Sequence, residues 1–274
     1  MIDLTQVDVG LYDTITPVIV DLAAETGADP SQIMLVGAAC RDILHAAFGH
    51  AFEARATTDI DLGIAVSDWG ISTRIDERYR QIGSNGIRYR IAETPVDIMP
   101  FGDVEDPEGI THPAARGQDL VVFGFRDVYD RSLPLMLPTG HEIRIPQPAG
   151  YAALKMRSWI DRSVQYYGHD RDAKDLALAA FWYQTAAEIS ERLYDTDEGF
   201  ALLSELGMDV EAASTRLLGE DALSQLSAAN RGDLARRWAE RDMESLARDF
   251  LLPAGGPRSP SLERRRALVA QLGR

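Results

Sequence analysis

The chain has 274 residues, 45% of them hydrophobic, which is room for one large or two ordinary domains and incompatible with wholesale disorder. A single cysteine, Cys40, excludes an internal disulfide and a cysteine-based metal site. The net charge of −15 would repel a nucleic acid in bulk, so such a partner could be met only through a local basic patch.

In chain order, residues 14–26 carry Ile15, Val18, Ile19 and Leu22 at helical spacing and end at Gly27. Asp29-Pro30 is a turn. Residues 33–37 read as a buried strand that leads into a helix over about 39–48. After a loop at 49–57, a second strand over 59–66 sends Ile60, Leu62 and Ile64 one way and Asp59 and Asp61 the other. Ser67 suits the N-cap of a helix running to about residue 82. Strands are expected at 87–91 and 96–99 around a turn at Glu93-Thr94-Pro95, then a loop at 100–118, then strands at 120–125, 133–137 and 143–145. Pro146 and Pro148 punctuate the chain, and helical periodicity fills 149–251. The expected class is therefore α/β (α+β): a small mixed sheet flanked by helices over 1–147, a helical domain over 148–252, and a linker with a basic tail over 253–274.

Residues 1–150 carry 23 acids against 11 bases, and the remainder 20 against 17. Two basic stretches stand out: the run Arg74, Arg78, Arg80, Arg88, Arg90, and the tail Arg264-Arg265-Arg266. The plainer reading of both is a solvated face. Of 28 basic residues only Lys155 and Lys174 are lysines. The longest apolar runs are too short to cross a bilayer, and Met1-Ile-Asp-Leu-Thr lacks the features of a signal peptide, so a cytoplasmic location is expected.

Thr58-Asp59-Ile60-Asp61-Leu62 carries the chemistry. Two aspartates at i and i+2 on a strand project from one face, close enough to share divalent cations. Magnesium takes one or two carboxylates and leaves places for water and substrate phosphates. The pairs Asp170/Asp172 and Asp195/Asp197 lie in helical territory, where i and i+2 diverge. Upstream, Gly37-Ala38-Ala39-Cys40-Arg41-Asp42 is a strand–turn–helix junction whose small residues let backbone N–H groups approach phosphates. Downstream, Asp97 sits in an apolar strand. Three carboxylates on adjacent strands call for a cation.

The segments 35–44 and 58–62 resemble the Gly-Gly/Ser … Asp-x-Asp signature of DNA polymerase β-type nucleotidyltransferases, and Arg41-Asp42 is similar to the form found in CCA-adding enzymes. The continuation 63–69, Pro95-Val-Asp-Ile-Met-Pro-Phe-Gly102, Leu154-Lys155 and Arg171-Asp172-Ala-Lys-Asp175-Leu176 resemble the AbiEii family, toxins of type IV toxin–antitoxin systems related to the MenT toxins. Ala38 departs from the pattern, removing a hydroxyl contact to phosphate.

The resemblance, over roughly residues 30–180, implies the following expectations. The fold is a polymerase β-type nucleotidyltransferase domain with a helical domain. The reaction transfers a nucleoside monophosphate from a nucleoside triphosphate to an acceptor hydroxyl, with RNA (a tRNA 3′ end) as acceptor and the arginine run as its docking patch. Asp59 and Asp61 hold two Mg²⁺ ions, one of them shared with Asp97. Gly37, Ala38, Arg41 and Lys155 bind the triphosphate, although a salt bridge to a neighbouring acid is an equal reading for Arg41. Lys155 maps to the family's catalytic lysine, with Asp172 and Asp175 both candidates for its aspartate. The bland reading of these three is a solvated helix face. A cognate antitoxin is the implied protein partner, and no membrane is. A non-catalytic nucleotide-binding regulator and an aminoglycoside nucleotidyltransferase are the alternatives; the latter suits the acidic surface because such acceptors are cationic. The five histidines show no metal-ligand spacing. Phe181, Trp182 and Tyr183 read as helix core.

Overall fold

A computed structural model describes residues 2–52, 59–165 and 168–273. Thr58 of the aspartate motif, and the expected loop from residue 53 onward, lie outside the described residues. Two compact units emerge: residues 2–50 with 59–147, and residues 51–52 with 148–273. Among the described residues no helix is long and apolar enough to cross a membrane.

The first unit opens with α1 (Ile15–Thr26), whose Ile15, Val18, Ile19 and Leu22 are fully buried and whose end is closed by Gly27 at φ +69°. The strand β1 (Ile33–Val36) is buried throughout and runs straight into α2 (Gly37–Ala47). β2 (Ile60–Val66) follows, then α3 (Gly70–Arg78), β3 (Arg88–Ile91) and β4 (Thr94–Gly102). A two-stranded pair, β5 (Ile110–Thr111) with β6 (Leu120–Val121), precedes α4 (Phe125–Asp130), β7 (Leu133–Met136) and β8 (Glu142–Ile145). The unit is α/β, with one mixed six-stranded sheet in the order β3-β4-β2-β1-β8-β7, flanked by helices.

Central strands β2 and β4 are parallel, with Asp61 aligned on Asp97 and Ala65 on Phe101. β1 runs antiparallel to β2 and pairs Val36 with Asp61. Alternation therefore splits β2 and β4 into two faces. One carries Ile60, Leu62, Ile64, Val96 and Ile98, all buried. The other carries the aspartates and, further along, Phe101, which meets Phe125 and Tyr129 of α4 edge-on at 5.7 and 5.5 Å.

Three expectations differ in detail. The helix after β2 begins at Gly70 with Trp69, not Ser67, at its N-cap and no side-chain cap; the Gly70 N–H donates to Asp68 just before it. The strand expected over 120–125 stops early: Gly124 at φ +73° turns the chain into α4. β4 continues to Gly102, through three residues expected in a loop.

The second unit is helical: α5 (Pro148–Gln165), α6 (His169–Thr185), α7 (Ala187–Asp195), α8 (Asp197–Glu205), α9 (Val210–Ser224), α10 (Ala228–Ala239), α11 (Met243–Asp249) and α12 (Leu262–Leu272). The expected tail is not a separate segment. α12 buries Leu268, Val269 and Leu272, and its C-terminal end runs against α9 at Gly219, where a Cβ would collide with the Leu272 backbone. Trp159 and Trp182 are the largest buried side chains, and Trp182 fits the expected core role of the Phe181-Trp182-Tyr183 group.

A carboxylate cluster on the central strands

Because β2 and β4 are parallel and in register at Asp61 and Asp97, these side chains leave the sheet from the same face. Asp59, two residues before Asp61, joins them by strand alternation. Asp97 is 9% exposed, and Asp59 and Asp61 are half-buried. The cluster lies where β1 ends and α2 begins. Gly37 has φ +66°, and a Cβ on it would overlap the Asp61 carboxylate. Glycine is required there twice over, by conformation and by the carboxylate against its α-carbon.

One cation is already present. Arg88 on β3 is the direct cross-strand neighbour of Asp97. Its Nε donates to Asp97 Oδ1 at 2.7 Å and its Nη2 to Asp97 Oδ2 at 2.7 Å, and Nη2 also donates to Asp59 Oδ2 at 2.8 Å. The bonds to Asp97 lead the causes that raise the Arg88 pKa above its ordinary value, so it stays charged. Asn85 holds the approach to Arg88: its Oδ1 accepts the N–H groups of Ile87 and Arg88 at 3.2 and 3.1 Å. Neither Arg88 nor Asn85 was singled out as a site residue from the sequence. The turn at Ala92 and Glu93, both at positive φ, fixes the hairpin register, and counting back from it places Arg88 opposite Asp97.

The donor set suits a hard divalent cation, because it offers carboxylate oxygens on one face and an Asp61 oxygen lodged against a residue without a side chain. Arg88 marks the space between Asp59 and Asp97 as one that accepts positive charge. Among the described residues no group of three or more His, Cys, Asp or Glu side chains already stands in a metal-holding arrangement.

The other expected residues are placed as follows. Ala38 is buried in the first turn of α2. Arg41 is 1% exposed, and its guanidinium bonds Asp42 at 2.8 and 2.9 Å, which is the salt-bridge reading of this residue. Lys155, Asp172 and Asp175 lie in the helical unit as a buried ionic cluster rather than on a solvated face. Lys155 Nζ is 2.6 Å from Asp175 and 3.2 Å from Asp172, which also takes Arg162 at 2.9 Å. Burial pulls the Lys155 pKa down, but Asp175 and Asp172 overcome it and leave the pKa raised. Lys174 instead pairs with Asp170 at the surface.

The arginine stretches are largely spent within the fold. Arg78 pairs with Glu25 at 2.7 Å, Arg74 donates to the Thr26 carbonyl at 2.6 Å, and Arg88 serves the aspartates. In the tail, Arg264 bonds Asp209 and Glu211, Arg266 bonds Glu244, and Arg265 donates to the Ala247 carbonyl. A cavity of about 180 Å³ in the first unit, between Ile75, Tyr89, Ile98 and Pro100, lies on the reverse face of the sheet from the aspartates. Comparison with known protein families, characterised proteins and solved structures finds no match.

Proposed function

We propose that this chain is a magnesium-dependent nucleotidyltransferase and that its first unit has the polymerase β-type fold. The observation that carries this reading is the grouping of Asp59, Asp61 and Asp97 on one sheet face, with Gly37 at the start of α2 packed against Asp61. Asp59, Asp61 and Asp97 would hold the metal. Magnesium, when bound, supplies neutralisation of the triphosphate and a lower pKa for the acceptor hydroxyl. The first-turn N–H groups of α2 donate to phosphate oxygens, which Gly37 allows to come close to the backbone.

The acceptor oxygen attacks the α-phosphorus and forms a new P–O bond. The α–β phosphoanhydride breaks, pyrophosphate leaves, and the acceptor hydroxyl loses its proton. Resemblance to the AbiEii toxins makes RNA, specifically a tRNA 3′ end, the acceptor and a cognate antitoxin the partner. Arg41, buried on Asp42, is not available as a phosphate ligand in this arrangement.

The test is incorporation of label from each α-³²P nucleoside triphosphate, with Mg²⁺ and total tRNA, beside an Asp59→Asn/Asp61→Asn control. Label in RNA with the intact chain alone is expected. Label on an added aminoglycoside but not on RNA would keep the enzyme class and reject the acceptor. The Arg88 clamp favours a second reading, a nucleotide-binding regulator without catalysis, because it bonds both oxygens of Asp97. Absence of label on any acceptor, with nucleotide still bound, would select that reading.

A further inference from the structure

Arg88 answers two of the three aspartates with one guanidinium. It does so in a specific way. Both oxygens of Asp97 are taken by Arg88 in a forked pair of charge-assisted bonds, the stronger kind of side-chain contact. The same Nη2 reaches Asp59, so a single group joins two strands and the residue preceding β2. The arrangement is braced. Asn85 bonds the Arg88 and Ile87 N–H groups, its Nδ2 approaches Asp97 Oδ1 at 3.4 Å, and its own carbonyl accepts from Arg116 at 2.6 Å. Arg88 is one-third exposed, so its guanidinium has a route outward.

We propose that Arg88 is a resident counter-cation of this cluster, which competes with a divalent cation for Asp97 and Asp59 and sets the affinity of the site for metal. The inference rests on the nucleotidyltransferase reading in taking the aspartates as metal ligands. Arg88 takes one acceptor position on each Asp97 oxygen, so a cation that engages Asp97 either meets the guanidinium's positive charge there or displaces one of its bonds. Removing the guanidinium removes that competitor from Asp97 and Asp59, whose negative charges then favour a cation that enters. The role is a positioning one: in the absence of metal, Arg88 keeps Asp59 and Asp97 together, and on exchange its charge is released beside the place where phosphate would sit.

The experiment is titration of the full chain with Mn²⁺ alone, without nucleotide, read by electron paramagnetic resonance of free Mn²⁺. Arg88→Gln is expected to bind Mn²⁺ about tenfold more tightly than the unmodified chain, the scale of a typical coupling between two sites. Arg88→Lys, which keeps a charge but not the fork, is expected to fall between them and serves if the glutamine variant does not fold. Adding Asp97→Asn to Arg88→Gln should abolish the gain. Equal or weaker Mn²⁺ binding by both Arg88 variants overturns the inference, as does a gain that survives Asp97→Asn. Label transfer by the intact chain together with unchanged Mn²⁺ affinity in the variants would sink the inference alone. Absence of Mn²⁺ binding in every form, together with absence of label transfer, would sink the function with it.

Discussion

Two clusters of charge, one in each unit, are built from the same residue types to opposite ends. In the helical unit Asp172 and Asp175 face Lys155 and Arg162, two acids against two bases, with Asp172 wholly buried. On the sheet, Asp59, Asp61 and Asp97 face Arg88, and Asp59 and Asp61 remain half-exposed. The balanced helical cluster closes Lys155 onto two buried carboxylates, ties α5 to α6 and is costly to break. Among the four residues named, the sheet cluster is unbalanced, three acids about one base, and it is partly open to solvent.

The largest effect should come from upsetting the balanced cluster. Lys155→Met removes the ammonium that Asp172 and Asp175 share in a buried site, and a broken buried pair typically costs about 3–5 kcal/mol. Thermal unfolding of the variant should show that loss in the helical unit. A variant with unchanged stability and lost label transfer would instead mean that Lys155 serves chemistry first, and the contrast between the two clusters would fail.

Gly37→Ala attacks the unbalanced cluster through its geometry. The left-handed conformation alone costs an alanine about 1–2 kcal/mol, and the added methyl would have to displace the Asp61 carboxylate. A stability loss of about 2 kcal/mol is expected by denaturant titration, with label transfer abolished. Retained transfer would show that the position of Asp61 is not critical.

How much of this was legible in the sequence depended on whether a feature is local. The β1–α2 junction and the aspartate strand followed from periodicity within a few residues, so Gly37, Asp59 and Asp61 were singled out without knowledge of the sheet. Arg88 was legible only as one member of an arginine run. Its pairing with Asp97 depends on hairpin register, and the two-residue turn that sets it uses Ala92 and Glu93 at positive φ, neither of which is a usual signal for such a turn. Burial of the Lys155 cluster was hidden for a related reason. A lysine and two aspartates on amphipathic helices read as site residues or as a solvated face, and their pairing with one another shows only once the partner helix is known. A short basic helix after the Pro- and Gly-rich stretch is legible, but its docking is not, although Leu268, Val269 and Leu272 form the buried face that docks it.

The docking of α12 extends the comparison to a surface cluster of one base and two acids, and there the effect should be smallest. Arg264 holds Asp209 at 2.6 Å and Glu211 at 2.8 Å, and Asp209 also caps α9 by accepting from the Ala212 N–H. The bond from Arg264 is the main cause that lowers the Asp209 pKa, with backbone N–H bonds adding to it against a smaller cost of burial. A carboxylate whose pKa is lower in the folded state contributes its stability in full above the ordinary value of about 4. That contribution is lost as pH falls through the lowered folded value. Asp209→Asn can keep the cap while giving up the charge, so about 0.5 kcal/mol should be lost near neutrality, as for an exposed pair. The variant's stability should also fall less steeply than the unmodified chain's below pH of about 4. Parallel acid limbs in urea titrations of the two proteins would mean that apolar burial of α12 carries its docking and the Arg264 pairing adds nothing. A loss of several kcal/mol would place this cluster with Lys155, as one on which the packing of the unit depends.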